Sequence, residues 1–129
     1  MKKVIVNGSF DILHPGHIEL LDFAKTQGDY LLVAIDTDRR IKQLKGDNRP
    51  INSETDRQTM LLSLKSVDDV VLFDSDDQLL DLVRSSDIMV KGSDYRDKPI
   101  IGEALVEVIF YERTEHSTTK IIQDIIDRR

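Results

Sequence analysis

At 129 residues, with 40% hydrophobic and 33% charged side chains, the chain is sized for one soluble globular domain with a real core and is too short for two. A net charge of −6 argues against wholesale binding to nucleic acid or to an anionic membrane, so any anion it takes must meet a local basic cluster inside an acidic envelope. The lack of cysteine removes disulfides, thiolate metal sites and thiol nucleophiles, and the opening Val4-Ile5-Val6 is too short for a signal peptide, which makes a cytoplasmic location the expectation.

Lys3 to Val6 is a β-branched apolar run that reads as a buried strand. Asn7-Gly8 supplies a turn, and His14-Pro15-Gly16-His17 leads into an amphipathic helix with Ile18, Leu20, Leu21, Phe23 and Ala24 on one face. Gly28 stops that helix. Tyr30 to Ile35 is a second strand, whose unbroken apolarity predicts burial on both faces and hence a parallel sheet covered by helices. Residues 39–52 are basic and polar, with a short helical turn over Arg40 to Leu44 and loop beyond it. Ser53 followed by Asp56 resembles a capping box, and the helix it starts runs through Met60, Leu61 and Leu64. Asp69 to Phe73 is a third strand, Asp76 to Arg84 a helix, and Ile88 to Val90 a fourth strand. Pro99 to Val106 is ambiguous between helix and loop, and Glu107 to Tyr111 is a fifth strand. Ser117-Thr118-Thr119 opens the last helix, with Ile121, Ile122, Ile125 and Ile126 as its core face.

Strands and helices alternate over the whole length. That pattern predicts one Rossmann-like α/β domain over residues 1–129, a doubly wound parallel sheet of about five strands. Such sheets gather ligands beyond the carboxyl ends of their strands. The segments that follow the strands are Gly8 to His17, Asp36-Thr37-Asp38, Lys91-Gly92-Ser93-Asp94 and Arg113-Thr114. The first is the most telling. A helix N-terminus has unpaired N–H groups and a partial positive charge, and two imidazoles three residues apart add donors, so the stretch suits a polyanion. A competing zinc site would gather His14, His17 and His116, but no nearby motif supplies the orienting partners or general base of such a centre. No Gly-x-Gly-x-x-Gly follows the first strand, which argues against a dinucleotide redox domain. Ser117 read alone is an N-cap, and the basic run before Pro50 read alone is solvated surface.

With these residues assembled, the chain resembles the small nucleotidyltransferases of the cytidylyltransferase-like superfamily. Gly8-Ser9-Phe10-Asp11 with His14-Pro15-Gly16-His17 fits the family's G-x-F-D…H-x-G-H signature. Arg113-Thr114-Glu115 with Ser117-Thr118-Thr119 fits its R-T-E…S-T-T motif. Two branches compete. Glycerol-3-phosphate cytidylyltransferases share the size, the opening Met1 to Ile5 and Arg113-Thr114-Glu115. Heptose-1-phosphate adenylyltransferases, the nucleotidyl half of ADP-heptose synthases, share Leu44 to Pro50 and Val90 to Tyr95, two loops expected to contact substrates and therefore weighted above the ends. His116 departs from both patterns. No kinase segment accompanies the chain, so the expectation is a nucleotidyl unit and not a whole bifunctional enzyme.

The resemblance implies that a sugar or polyol phosphate attacks the α-phosphorus of a nucleoside triphosphate, with ATP preferred, and that pyrophosphate leaves. The nucleophile is already an anion, so catalysis reduces to positioning and charge stabilisation. It implies His14, His17 and Lys45 as catalytic residues. Gly8, Ser9, Phe10 and Gly16 would lie along the nucleotide, with Lys91 and Asp94 facing its base or ribose. Arg113, Thr114, Ser117, Thr118 and Thr119 would hold the β- and γ-phosphates, and Asp11, Lys45 and Arg57 would face the phosphorylated substrate. No residue is assigned as a metal ligand. Mg²⁺ is expected chiefly through the triphosphate, with Asp11 assisting through water. The expected partners are the triphosphate and a small phosphorylated sugar or polyol, with no nucleic acid and no membrane, in a homodimer. The rival from another class is a nucleotide-binding module without catalysis.

Overall fold

Among the described residues, five strands form the frame: β1 (Lys3–Gly8), β2 (Tyr30–Asp36), β3 (Asp69–Phe73), β4 (Ile88–Gly92) and β5 (Glu107–Tyr111). Five α-helices accompany them among these residues: α1 (Pro15–Thr26), α2 (Asp38–Lys45), α3 (Glu54–Leu62), α4 (Asp76–Arg84) and α5 (Thr118–Asp127), with a 3₁₀ turn over Ser93–Tyr95. This computed structural model describes residues 1–112 and 118–128. The sheet order is β3-β2-β1-β4-β5 and every pairing is parallel.

Alternation along the strands decides which layer each side chain joins. Val4 and Val6 of β1 face one side with Leu31, Val33 and Ile35 of β2, where Leu21 and Ala24 of α1 and Leu61 of α3 pack. Ile5 faces the other side with Leu32, Ala34 and Met89, where Leu79 and Val83 of α4 and Ile100 pack. The unbroken apolar run of β2 is therefore buried on both faces, as its sequence predicts. The chain steps outward from β1 through β2 to β3, then returns through α4 to β4 on the far side of β1. That reversal puts α1 and α3 on one face and α4 on the other, and it opens a crevice between the ends of β1 and β4.

Three segments depart from the sequence expectation. Residues 38–45 form a full helix and not a short turn. Thr37 caps it by accepting from the Arg40 amide, Arg40 bridges Asp36 at 2.9 Å and Asp76 at 2.7 Å, and Arg39 pairs with Asp74. The ties to Asp74 and Asp76 cross more than thirty residues and no local pattern announces them, whereas the Thr37 cap and the Asp36–Arg40 pair are local. Residues 99–106 hold turns and no helix. Ile125 and Ile126, expected in the core, are 55% and 53% exposed. Their helix follows the edge strand β5, whose own side chains are at most partly buried, so little sheet remains for that face to cover.

Candidate active site at the ends of β1 and β4

The signature turn after β1 has a packing reason. Phe10 sits at φ 50°, in the left-handed region that a bulky residue adopts only when its surroundings demand it. Its ring lies back over Gly8, where an added Cβ would stand 3.2 Å from the ring edge. Glycine at this position lets the ring settle, and Phe10 is 5% exposed as a result. The buried ring in turn backs His17, with ring centroids 5.0 Å apart.

Helix α1 starts at Pro15, where the missing N–H costs nothing. The His14 amide donates to Nδ1 of His17 at 3.3 Å. That bond fixes the neutral His17 tautomer with its proton on Nε2, the nitrogen able to donate to a ligand. The two imidazoles stack at 3.7 Å with 21° between their planes. His17 lines the crevice, whereas His14 is buried and is not a lining residue.

The crevice is a cleft of about 320 Å³. Gly8, Ser9, Phe10, Gly16, His17 and Leu20 form one wall, and Thr119 brings the first turn of α5 to it. Asn7, Asp36, Lys91, Gly92 and Tyr95 form the opposite part, and Lys45 and Arg49 close the rim. Three cationic side chains against one carboxylate make this the local basic cluster that an acidic chain needs to bind an anion. The carboxylate, Asp36, is already paired with Arg40.

Lys45 is the last residue of α2, and its Nζ reaches Ser9 Oγ at 3.4 Å. Loss of solvent around its ammonium lowers its pKa, and the neighbouring Arg49 charge lowers it further. Lys91 is 9% exposed and places Nζ 4.6 Å from the centre of the Tyr95 ring. Burial lowers its pKa to about 8, although Asp36 and Asp94 pull it upward. Between about pH 8 and 10.5 the unfolded chain keeps the Lys91 proton that the folded protein has released, so this residue makes stability rise with pH across that window. Lys91→Met is expected to remove that rise. Urea unfolding of both proteins from pH 7 to 10.5 should show wild type gaining on the variant, and parallel curves would mean that Lys91 titrates normally.

Two residues expected to face substrate are internal. Asp11 is fully buried, and its carboxylate accepts from the amides of Ile51 and Asn52, each at 2.8 Å, and from Arg49 Nε at 3.2 Å. Asn52 Nδ2 also donates to the Asp11 carbonyl at 2.6 Å. Asp11 therefore fastens the 49–52 loop beneath the signature turn and aims Arg49 at the rim; no face of it is left for water-mediated Mg²⁺. Arg57 is fully buried as well. Its guanidinium donates to the carbonyls of Ser9 and Asp36 at 2.8 Å each and of Asn52 at 3.1 Å, and it pairs with Asp38 at 2.8 Å. It joins the signature turn, the end of β2, the start of α2 and the loop before α3.

Arg49 and Tyr95 line the cleft from the two loops expected to contact substrates, and Asn7, read as a turn residue, lines it as well, although none of the three is among the site residues expected individually. Within its loop, nothing in the basic run itself separates Arg49 from its solvated neighbours. Asp94 is exposed in the 3₁₀ turn and is not a lining residue. Arg113, Thr114 and Ser117, the Thr118 side chain, and His116 of the zinc alternative lie outside the described residues. Among the described residues, no three His, Asp or Glu side chains group closely enough to hold a metal ion, and no helix is long and apolar enough to cross a membrane.

Residues 5–124 match the model of the cytidylyltransferase-like family. The chain belongs to that family of nucleotidyltransferases. The Bifunctional protein HldE of Campylobacter jejuni is 47% identical over 132 residues, which cover 99% of this cytidylyltransferase-like chain and 28% of that protein. The Bifunctional protein HldE of Campylobacter fetus is 48% identical over 126 residues, 95% of this chain and 27% of that protein. The chain thus spans a little over a quarter of the length of these curated relatives. The crystal structure of the lipopolysaccharide core biosynthesis protein from Thermoplasma volcanium aligns with a TM-score of 0.74 at 28% identity, covering 89% of this chain and 99% of that one.

Proposed function

We propose that this cytidylyltransferase-like domain transfers the adenylyl group of ATP to a heptose-1-phosphate-like sugar phosphate, giving a nucleoside-diphosphate sugar and pyrophosphate. One observation carries the choice of acceptor. The two loops that resemble the heptose branch, Leu44 to Pro50 and Val90 to Tyr95, both supply cleft-lining side chains: Lys45 and Arg49 from the first, Lys91 and Tyr95 from the second. The similarity to proteins named HldE, and to one titled a lipopolysaccharide core biosynthesis protein, supports the same reading.

In this mechanism a sugar-phosphate oxygen attacks the α-phosphorus. The new P–O bond forms as the bond from that phosphorus to the α,β-bridging oxygen breaks, and pyrophosphate leaves. His17 donates from Nε2 to an α-phosphate oxygen, where charge grows in the transition state. The start of α1 at Pro15-Gly16 adds its partial positive charge, and Gly16 lets the backbone come close. Lys45 bridges the two reacting phosphates as a point charge on the rim. Thr119 and the start of α5, with Arg113, Thr114, Ser117 and Thr118 beside them in sequence, take the β- and γ-phosphates. His14 supports His17 by stacking on it. Mg²⁺ bound to the triphosphate would neutralise charge on its phosphate oxygens; among the described residues, the cleft carboxylate Asp36 is engaged by Arg40 and Asp11 by the 49–52 loop.

Pyrophosphate release, measured with four nucleoside triphosphates against a panel including heptose 1-phosphate and glycerol 3-phosphate, tests the proposal. Turnover is expected with ATP and the heptose ester. Turnover with CTP and glycerol 3-phosphate alone would move the chain to the other branch, and tight nucleotide binding by folded protein with no product from any pair would make it a binding module.

A further inference from the structure

The cleft straddles the edge of the sheet, and its two sides differ. Along β1, Val4 and Val6 face α1, whereas Ile5 faces α4, so Asn7 faces α4 as well. The same alternation puts Asp36 of β2 beyond Leu32 and Ala34, and Lys91 of β4 beyond Met89, on that second side. Tyr95, which packs on the α4 core, confirms it by lying against Lys91. His17, Gly16, Leu20 and Thr119 belong to the α1 side.

Asn7 is the odd residue of its strand. It follows three fully or almost fully buried apolar residues, yet it carries a carboxamide. Its Oδ1 is buried and receives no hydrogen bond from any described residue. A buried acceptor left without a donor destabilises the fold, and valine would fit a parallel strand better here. The terminal torsion of asparagine is broad, so a half-turn exchanges oxygen and nitrogen at the cleft wall. A group that can present either a donor or an acceptor matches a hydroxyl, which can also do both.

We propose that the hydroxyl-bearing part of the acceptor lies on the α4 side of the sheet edge and that Asn7 is a specificity-determining residue that hydrogen-bonds one of its hydroxyls. The inference rests on the adenylyl-transfer reading above. In an in-line displacement the nucleophile stands opposite the leaving group. With pyrophosphate leaving on the side of Thr119 and α5, the acceptor approaches from the side of Asn7, Asp36, Lys91 and Tyr95. This takes Lys91 from the base or ribose, where the sequence put it, to the acceptor phosphate.

The test is Asn7→Val, assayed with ATP and heptose 1-phosphate. The expected result is a KM for the sugar phosphate raised about tenfold or more, a KM for ATP within about twofold of wild type, and a melting temperature equal to or above wild type, because the unpaired oxygen is gone. A raised KM for ATP with an unchanged sugar KM would overturn the inference, as would a lower melting temperature with both constants unchanged. If wild type turns over no heptose 1-phosphate, the proposed function fails separately. The Asn7 side-chain amide signal, followed by NMR with a non-hydrolysable ATP analogue already bound, then decides. A shift on adding mannose 1-phosphate or glycerol 3-phosphate upholds Asn7 as an acceptor contact. No shift with either, or a shift on adding the analogue alone, overturns it.

Discussion

Alanine at His17 is expected to lower kcat by about 100- to 1,000-fold, the range seen when one preorganised donor to a developing charge is removed. The dissociation constant for ATP should stay within about threefold. The asymmetry follows from where the imidazole acts. On the proposed mechanism, ground-state triphosphate would be held by helix starts and cations on several sides, whereas the bonds made by Nε2 would strengthen only as charge gathers on the α-phosphate. Rapid-quench single turnovers give the chemical step and calorimetry gives the binding term. Equal losses in both would mean that the ring binds substrate and transition state alike. Some stability will be lost too, because His17 Nδ1 accepts the His14 amide. That loss is about 1 kcal/mol by analogy with other helix caps, too small to account for the kinetic effect.

Arg57→Ala is expected to cost about 3–5 kcal/mol of folding stability, the range for breaking a buried ion pair from one side. Removing the guanidinium strands the carbonyls of Ser9, Asp36 and Asn52 together with the Asp38 carboxylate. A domain of ordinary stability, about 5–15 kcal/mol, keeps little margin after that. Arg57→Lys should fall between the two, since an ammonium keeps the charge but cannot span four oxygens held by a planar fork. Urea unfolding gives the stabilities. The outcome separates two roles: a substrate ligand would show its loss in KM with folding intact, whereas an internal fastener shows it in the unfolding midpoint.

The strands were legible because burial on both faces leaves an unbroken apolar signature, as in Tyr30 to Ile35. Caps were legible where the capping group is local, as with Ser53 and the Asp56 amide. The signature turn was legible as a motif, and the structure adds the cause, a phenylalanine ring folded onto a glycine. Helix α2 was under-read because it buries Ile41 alone and is pinned by charges on α4. Asp11 and Arg57 read as substrate residues because a sequence gives no sign of whether a charge is buried; apart from Asn52, five residues before Arg57, their partners stand 19 to 48 residues away. Asn7 read as a turn residue, although it is the second-last residue of β1. The last helix misled in the opposite sense, since a clean apolar stripe states an amphipathic face without stating that the molecule covers it.

The Asp11 anchorage has a dynamic consequence. Ile51 and Asn52 belong to no helix or strand, yet their amides end on a fully buried carboxylate in the turn beyond the C-terminal end of the central strand. Their opening is coupled to the opening of the core, so this stretch moves on the slow timescale of global unfolding and not on the fast one of surface loops. Freedom in the rim is left to Gly46 to Asn48, which are exposed and lie between Lys45, at the end of its helix, and Arg49, tied to Asp11. On the proposed mechanism, substrates would displace this middle while Arg49 keeps its place.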